Sequence, residues 1–536
     1  MAGAAETRLV GGDTSRSNAV AAVAVALAAV LFVTSLAALF EVITISDPFA
    51  GVPVVTVLGG ILALLGVAVI TFGVGSYVGA VETEPSRSAG LVAAVVFGVV
   101  WFAVGGAVAS RVLGIGGVAW AFVALLTGAV AFAVTAVPRE DIGSTLPAGA
   151  VTLLTGVAYL TGSIGPAWIW ELSFEQQASL TAEFVIPVAT LFCALLAGWA
   201  AAKAYGGFGA RGRKMGAYLL IYLNAGSIVG VLFVLIAFTA FRGISGLFSG
   251  AEFGLGTGPT VFGAALPVSV PFVMNGVSLF NDFQGVLPAI AGTIWLVVGA
   301  VLFAVPLGVG AAIFLTEYAE RGRFTQVVEV ATNGLWSTPS IVFGLFGFAF
   351  LIPRFGGGKS LLSGMLTLGF MLLPLVLITS REAMLAVPDE YRDASAALGV
   401  SKWQTIRSVV VPAALPGVVT GVILGVGRIA GETAPILLTM TGGTFVSGES
   451  TVDVIGGFEF VSTPPFVANP ELLQATTALP FQLYALITAG VGLGDNVNSP
   501  TEFQWATALV LLLVVLSFYA IGIGARYYFR RKLDYE

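Results

Sequence analysis

About twelve times along this chain a run of roughly 20 apolar residues ends in a short polar break. A helical run of that length matches the hydrocarbon thickness of a bilayer, and it is too long for a membrane-barrel strand. Lipid offers no hydrogen bonds, so each run must satisfy its own backbone N–H and C=O groups. The fold class follows: all-α, a polytopic helical membrane protein. The runs lie near 19–43, 53–81, 89–109, 117–137, 146–163, 183–203, 216–241, 289–316, 332–352, 361–380, 411–440 and 504–526. The fifth is the weakest, because Thr152, Thr155 and several glycines dilute it. The first is longer than the apolar core of a signal peptide and lacks a clear small-residue cleavage site, so it is expected to remain as a span.

Composition removes other options. Hydrophobic residues make up 57% of the 536 residues and charged residues 10%, where a soluble protein carries about a quarter charged. Polar groups are too few to cover a globular surface. There is no histidine, which excludes imidazole metal sites and His-based triads; no metal site and no cofactor of its own are expected. The single Cys193 lies in an apolar run and permits no internal disulfide. No cluster of nucleophile, base and metal ligands points to an enzyme. The net charge of −6 comes mostly from ends and loops and says little about nucleic acid.

Basic residues in short loops set the orientation. Arg211, Arg213 and Lys214 precede the seventh run, and Arg321 and Arg323 follow the eighth. Arg381, Arg392, Lys402 and Arg407 follow the tenth; Arg530, Arg531 and Lys532 follow the twelfth. With helices crossing alternately these groups share one side, the expected cytoplasm, and both termini fall there with Arg87 and Arg139. Arg111, Arg242, Arg354 and Lys359 are a minority outside. Two long loops on the outer side, 242–288 and 441–503, suit an external partner.

The chain is expected to divide near Arg211-Gly-Arg-Lys214. Residues 1–210 form an accessory transmembrane region of about six helices with few polar residues. Residues 211–536 hold every informative motif, and no sequence repeat links the halves.

A polar loop, 381–410, separates the tenth and eleventh runs. Pro388 can open a helix there, with Asp389 and Glu390 at its positive end. Small residues from Ala394 to Ala397 allow close approach by another surface, and Gly399 ends the helix. Ser401-Lys-Trp-Gln404 has the form of a capping box, with Trp403, Ile406 and Val410 expected on one side of a second short helix. Pro412 and Pro416 are expected to break the chain as it re-enters the membrane. The bland alternative is an ordinary hairpin on the membrane surface.

The eleventh run contains Gly427-Arg-Ile-Ala-Gly-Glu-Thr-Ala-Pro435. Arg428 and Glu432 are four apart and should share a helix face. Charges at such depth are costly and usually line a bundle interior or a water-filled path, so Arg428, Glu432 and the adjacent Thr433 are candidate path residues. The alternative is a structural ion pair. Gly421, Gly425, Gly427 and Gly431 form a stripe suited to close helix packing. Thr338, Pro339 and Ser340 are a candidate hinge or path element, or a plain kink. Gly356-Gly-Gly-Lys-Ser360 imitates the end of a phosphate-binding loop, but Pro353 stands where the first glycine belongs, so it is expected to be a turn.

The segment Asp393-Ala-Ser395, with Gly399, Val409, Val411 and Pro412, resembles the EAA motif by which ABC permeases dock on their ATPases. Asp393 and Ser395 are mild departures that keep the spacing. Leu415-Pro-Gly-Val-Val-Thr-Gly421, Gly427-Arg428, Gly431-Glu-Thr-Ala-Pro435, Phe314-Leu-Thr-Glu-Tyr-Ala319, Thr338-Pro-Ser-Ile-Val-Phe-Gly344 and Leu479-Pro-Phe-Gln482 together resemble PstA-type permeases of phosphate ABC transporters, over roughly 211–532. The resemblance implies a C-terminal six-helix permease core of the type I importer class. It also implies a heterodimer with a sister permease, two cytoplasmic ATPase subunits that bind ATP and Mg, and an external phosphate-binding protein. It implies a docking role for Asp393, Ala394, Ser395, Gly399, Trp403 and Pro412, and it says nothing about residues 1–210. A permease for another oxyanion is one alternative. An ion-coupled secondary transporter is another, disfavoured because paired broken helices in two repeats are its usual sign.

Overall fold

A computed structural model describes residues 13–49, 51–173, 177–254, 256–258, 260–261, 264–265, 267–276, 285–320, 322–442, 451–464, 466–488 and 500–535. Arg321 and parts of the loops 242–288 and 441–503 lie outside that set. The chain forms two compact units, Met1–Leu235 and Ile236–Glu536. Among the described residues 11 helices are long and apolar enough to cross a membrane, and a bent pair makes a twelfth if it counts as one span. The connections also hold shorter helices and short antiparallel strand pairs.

The first unit contains α1 (Asp13–Leu39), α2 (Val54–Val78), α3 (Leu91–Ala107), α4 (Ala119–Ala136), α5 (Glu140–Leu160), α6 (Ala182–Tyr205) and the start of α7 (Gly209–Leu247). A hairpin of β1 (Ile169–Ser173) and β2 (Gln177–Thr181), in register Ile169↔Thr181, joins α5 to α6. Hydropathy marks α5 as the weakest span, yet over half of it is buried. Its polar residues face protein, where Thr152 and Thr155 donate to the carbonyls of Ala148 and Val151 at 2.8 and 2.9 Å. Such back-bonds keep hydroxyls satisfied without water. Helix α2 can lie against α5 because both backbones are bare at the contact. A Cβ on Gly66 would sit 2.7 Å from the Gly149 carbonyl oxygen, and one on Gly156 2.7 Å from that of Gly59.

One end of this unit holds a buried charge network that the sequence does not announce. Lys203 Nζ lies 2.8 Å from Glu140 Oε1, with the two side chains 1% and 0% exposed. Lys203 also donates to Ser144 Oγ at 2.7 Å and sits 4.5 Å above the Trp199 ring. Glu140 Oε2 accepts from the backbone N–H groups of Ser86 and Gly209, both at 3.0 Å. Beside it Asp141 Oδ2 accepts from Arg139 at 2.8 Å and Ser76 Oγ at 2.9 Å. Glu140 thus ties the α2–α3 connection and the start of α7 to α5 and α6.

The second unit contains α8 (Leu287–Ile313), α9 (Arg323–Ser337), α10 (Ser340–Phe346), α11 (Leu361–Leu385), α12 (Asp389–Ala397), α13 (Lys402–Thr405), α14 (Val411–Ala430), α15 (Ala434–Thr439), α16 (Leu479–Thr488) and α17 (Pro500–Tyr535). Its core joins Leu296 and Ala300 of α8, Leu368, Leu372 and Val376 of α11, Ile429 of α14 and Phe481 of α16.

Three expectations about this unit change. The run 332–352 is not one straight span: α9 begins at Arg323 and meets the next helix at a 102° bend. The run 411–440 is not one helix, because α14 stops at Ala430. Pro412 and Pro416 do not break the chain, since a continuous helix runs Lys402–Ala430. A wide π turn at Ile406–Val410 precedes Pro412, giving its ring the room that an α turn denies.

Candidate functional site

The second unit has two helix breaks, and the helices on either side of one approach those on either side of the other. Thr338 and Pro339 are both extended, with ψ of 132° and 138°, because proline drives the preceding residue out of the helical region. The hydroxyls of Ser337 and Thr338 each donate to the Gly334 carbonyl at 2.9 Å, closing the end of α9. Thr338, Pro339 and Ser340 therefore form a true break between helices. The second break is Gly431-Glu432-Thr433, between α14 and α15. The halves beyond the breaks pack together: a Cβ on Gly344 of α10 would lie 2.9 Å from Pro435 Cα of α15.

Arg428 lies in the last turn of α14 and Glu432 within the second break, so they do not share a helix face as i,i+4 spacing suggested. The turn still keeps Arg428 Nε 3.9 Å from Glu432 Oε1, with side chains 36% and 19% exposed. That is beyond hydrogen-bond range. The guanidinium carbon lies 5.0 Å from the Trp336 ring centroid, across from the last turn of α9. Arg428 has no hydrogen bond to another described residue, so its fork of donors is available. Its place in the last turn of α14 suits a cation. Thr433 sits between the two helices, half-buried, with no side-chain cap bond.

The glycine stripe divides by partner. Gly421 and Gly425 meet Thr379 and Leu372 of α11, Gly427 receives Tyr519 of α17, and Gly431 faces open space. Close packing thus fixes the helix up to Arg428 and leaves the break itself loose.

The polar loop 381–410 forms the compact element its residues suggest. Pro388 precedes α12, Gly399 follows it with φ of +72°, and Ser401 makes the capping box with Gln404. Ser395 is buried and donates to the Tyr391 carbonyl at 3.0 Å. Asp393, Ala394 and Gly399 are exposed. Trp403 does not share a side with Ile406 and Val410: those two are buried, whereas Trp403 is 55% and Leu398 82% exposed. Tyr391, Leu398, Val400 and Trp403 leave large apolar side chains exposed on this element. Arg392, which the motif skips, anchors the element. It donates to Glu317 Oε1 at 2.9 Å, to the Val387 carbonyl at 2.8 Å and to the Met384 carbonyl at 3.0 Å. Glu317 belongs to a π turn, Phe314–Tyr318, that extends α8. The loop is thereby clamped to the ends of α8 and α11.

Close by, Thr325, Glu329, Thr332 and Asn333 of α9 and Arg381 and Glu382 of α11 help line a polar cavity of about 210 Å³. From the sequence Trp336 does not stand out, Arg392 bears only on orientation, and Glu317 is included only within a longer motif. A lone aromatic before a break carries no periodic signal, and an ion pair 75 residues apart in sequence has none either. Gly356 and Gly357 have φ of +88° and +75°, Lys359 donates to the Leu437 carbonyl at 2.8 Å, and Ser360 caps α11. That segment is a turn into a helix.

The family described as "Binding-protein-dependent transport system inner membrane component" matches residues 304–535. The phosphate transport system permease protein PstA of Haemophilus influenzae is 38% identical over 255 residues, covering 47% of this chain and 78% of that one. PstA 1 of Mycobacterium tuberculosis is 42% identical over 29% of this chain and 50% of its own length. The probable ABC transporter permease protein YqgI of Bacillus subtilis is 34% identical over 32% of this chain and 58% of its own. The chain thus spans between half and nearly four-fifths of these relatives. Among solved structures, an inward-facing conformation of the MetNI methionine ABC transporter is 17% identical with a TM-score of 0.31, over 46% of this chain and 94% of that chain.

Proposed function

The chain belongs to the family of binding-protein-dependent transport permeases, of the PstA type, and from that premise we propose that it is the permease subunit of an ATP-driven importer of inorganic phosphate. The observation that carries the reading is Arg428: a permanent cation beside a helix break, held loosely and in reach of an anion. A guanidinium fork matches phosphate oxygens two at a time. Glu432, 3.9 Å away, balances the charge when the path is empty and weakens the hold on the anion, so that it can leave.

The basic loops face the cytoplasm, with both termini, in this reading. A phosphate-binding protein delivers its ligand to the outer loops. A sister permease supplies the other wall of the path. Two ATPase subunits, which carry the ATP and Mg, dock on Asp393, Ala394, Gly399 and the exposed Trp403. Arg392 and Glu317 pass their closure to α8. The breaks at Thr338–Ser340 and Gly431–Thr433 serve as hinges, since a break moves without costing helix hydrogen bonds. Residues 1–210 are an accessory membrane region outside this cycle.

The test is reconstitution of the chain with its ATPase, sister permease and binding protein in vesicles, with sulfate and molybdate as competitors. Phosphate uptake that needs ATP and resists both competitors is expected. Displacement by either competitor would assign a different oxyanion, and uptake driven by an ion gradient without ATP would end the reading.

A further inference from the structure

The first unit contains an apolar cavity of about 370 Å³, within the range of ligand sites of roughly 300–1,000 Å³. Ala93, Val96 and Phe97 of α3, Leu195 and Leu196 of α6 and Leu220 of α7 are among its walls. One rim is Val92, an exposed residue of α3, so the cavity opens to the surroundings of the helices. Part of its lining is cationic, formed by Lys203 and Arg213 beside Trp199, with Arg213 bonded to Ser86 just before α3 begins. In a bilayer, an apolar cleft open at the helix surface draws in a hydrocarbon chain, because an empty one forfeits contacts on every wall. The identity of the headgroup then depends on the charged part.

That part has one cation to spare. The Glu140 carboxylate is met by Lys203 Nζ at 2.8 Å and by two backbone N–H groups. Arg213 Nη1 donates to Ser86 Oγ at 2.6 Å and stands 3.8 Å from Glu140 Oε2. Nε and Nη2 of Arg213 have no partner among the described residues, and its side chain is 53% exposed. Arg139 and Asp141 pair with each other at 2.8 Å and add no net charge. With Glu140 answered by Lys203, Arg213 leaves a surplus positive charge at the mouth of an apolar groove.

We propose that this groove binds an anionic phospholipid, with one acyl chain along α3 and α7 and its phosphate on Arg213. The site is independent of the transport path in the second unit. Basic pockets between membrane helices recognise acidic headgroups on this principle. A bound lipid would seal the groove and complete the charge network around Glu140.

The experiment is native mass spectrometry on the purified full chain in detergent doped with equal phosphatidylglycerol and phosphatidylcholine. Retention of phosphatidylglycerol roughly fivefold above phosphatidylcholine is expected, the effect of one basic residue at a lipid surface. Arg213→Gln should erase the preference, and Arg213→Lys should keep most of it. Val96→Trp, which fills the groove and leaves the cation, should lower retention of both lipids. Equal retention by the native chain, or an unchanged preference in Arg213→Gln, would overturn the site. So would displacement of phosphatidylglycerol by glycerol phosphate alone, because the groove would then hold a soluble anion.

Discussion

Lys203 in the first unit and Arg428 in the second are both cations near the ends of membrane helices, and each has a carboxylate in reach. Lys203 is 1% exposed and 2.8 Å from Glu140, with Ser144 and Trp199 beside it, while two backbone N–H groups donate to the Glu140 carboxylate. Arg428 is 36% exposed and 3.9 Å from Glu432, with only an aromatic face beside it. A buried charge survives only when fully answered, so the first arrangement is architecture. A charge left partly answered beside a helix break has donors to offer something else. On the proposed reading, the difference separates a permanent joint from a place where an anion can bind and leave.

The sharpest way to break this comparison is to remove one cation from each pair. Lys203→Met should cost about 3–5 kcal/mol by leaving Glu140 buried and unpaired, read as a fall in thermal stability of the purified chain. The double change Lys203→Met with Glu140→Gln should recover most of that loss. Arg428→Gln should leave stability unchanged and lower phosphate uptake by roughly 10–100-fold, the worth of a charge-assisted bond to the anion. Normal uptake in that variant removes Arg428 from the path; a melting loss like that of Lys203 makes it a structural residue.

Smaller effects sharpen the picture of the docking element. Glu317→Gln frees Arg392 from α8, so uptake should fall roughly fivefold while ATPase binding, followed by co-purification, persists. Loss of ATPase binding instead would place Glu317 in the fold of the loop. Gly399→Ala forces a Cβ into φ of +72° and should cost about 1 kcal/mol. Because open space surrounds that Cβ, the cost should appear in local hydrogen exchange at the end of α12, with no change elsewhere.

The docking element was legible in the sequence because its signals are local. Pro388, Gly399 and the Ser401/Gln404 box each act within a turn, and each occupies the expected role. The misjudged points needed partners from afar. Whether Pro412 ends a helix depends on the π turn before it, and whether Trp403 is buried depends on which neighbours cover Ile406 and Val410. Arg428 and Glu432 stand out by their charge inside an apolar run, but the helix end at Ala430, which puts Glu432 in the break, has no such local signal. The network around Glu140 was overlooked because Lys203, Arg139 and Glu140 sit at the edges of apolar runs, where charges are ordinary.

The sequence by itself determined that the chain crosses a membrane many times and where its polar helical loop lies. Both follow from short-range physics: unsatisfied backbone in lipid, and caps that act across three or four residues. Only the tertiary structure decided that Gly344 packs on Pro435, that Trp336 faces Arg428, and that Lys203 and Glu140 close on each other. Those pairings depend on which helix faces lie together, and bare glycine surfaces and side-chain volumes from distant segments decide that jointly.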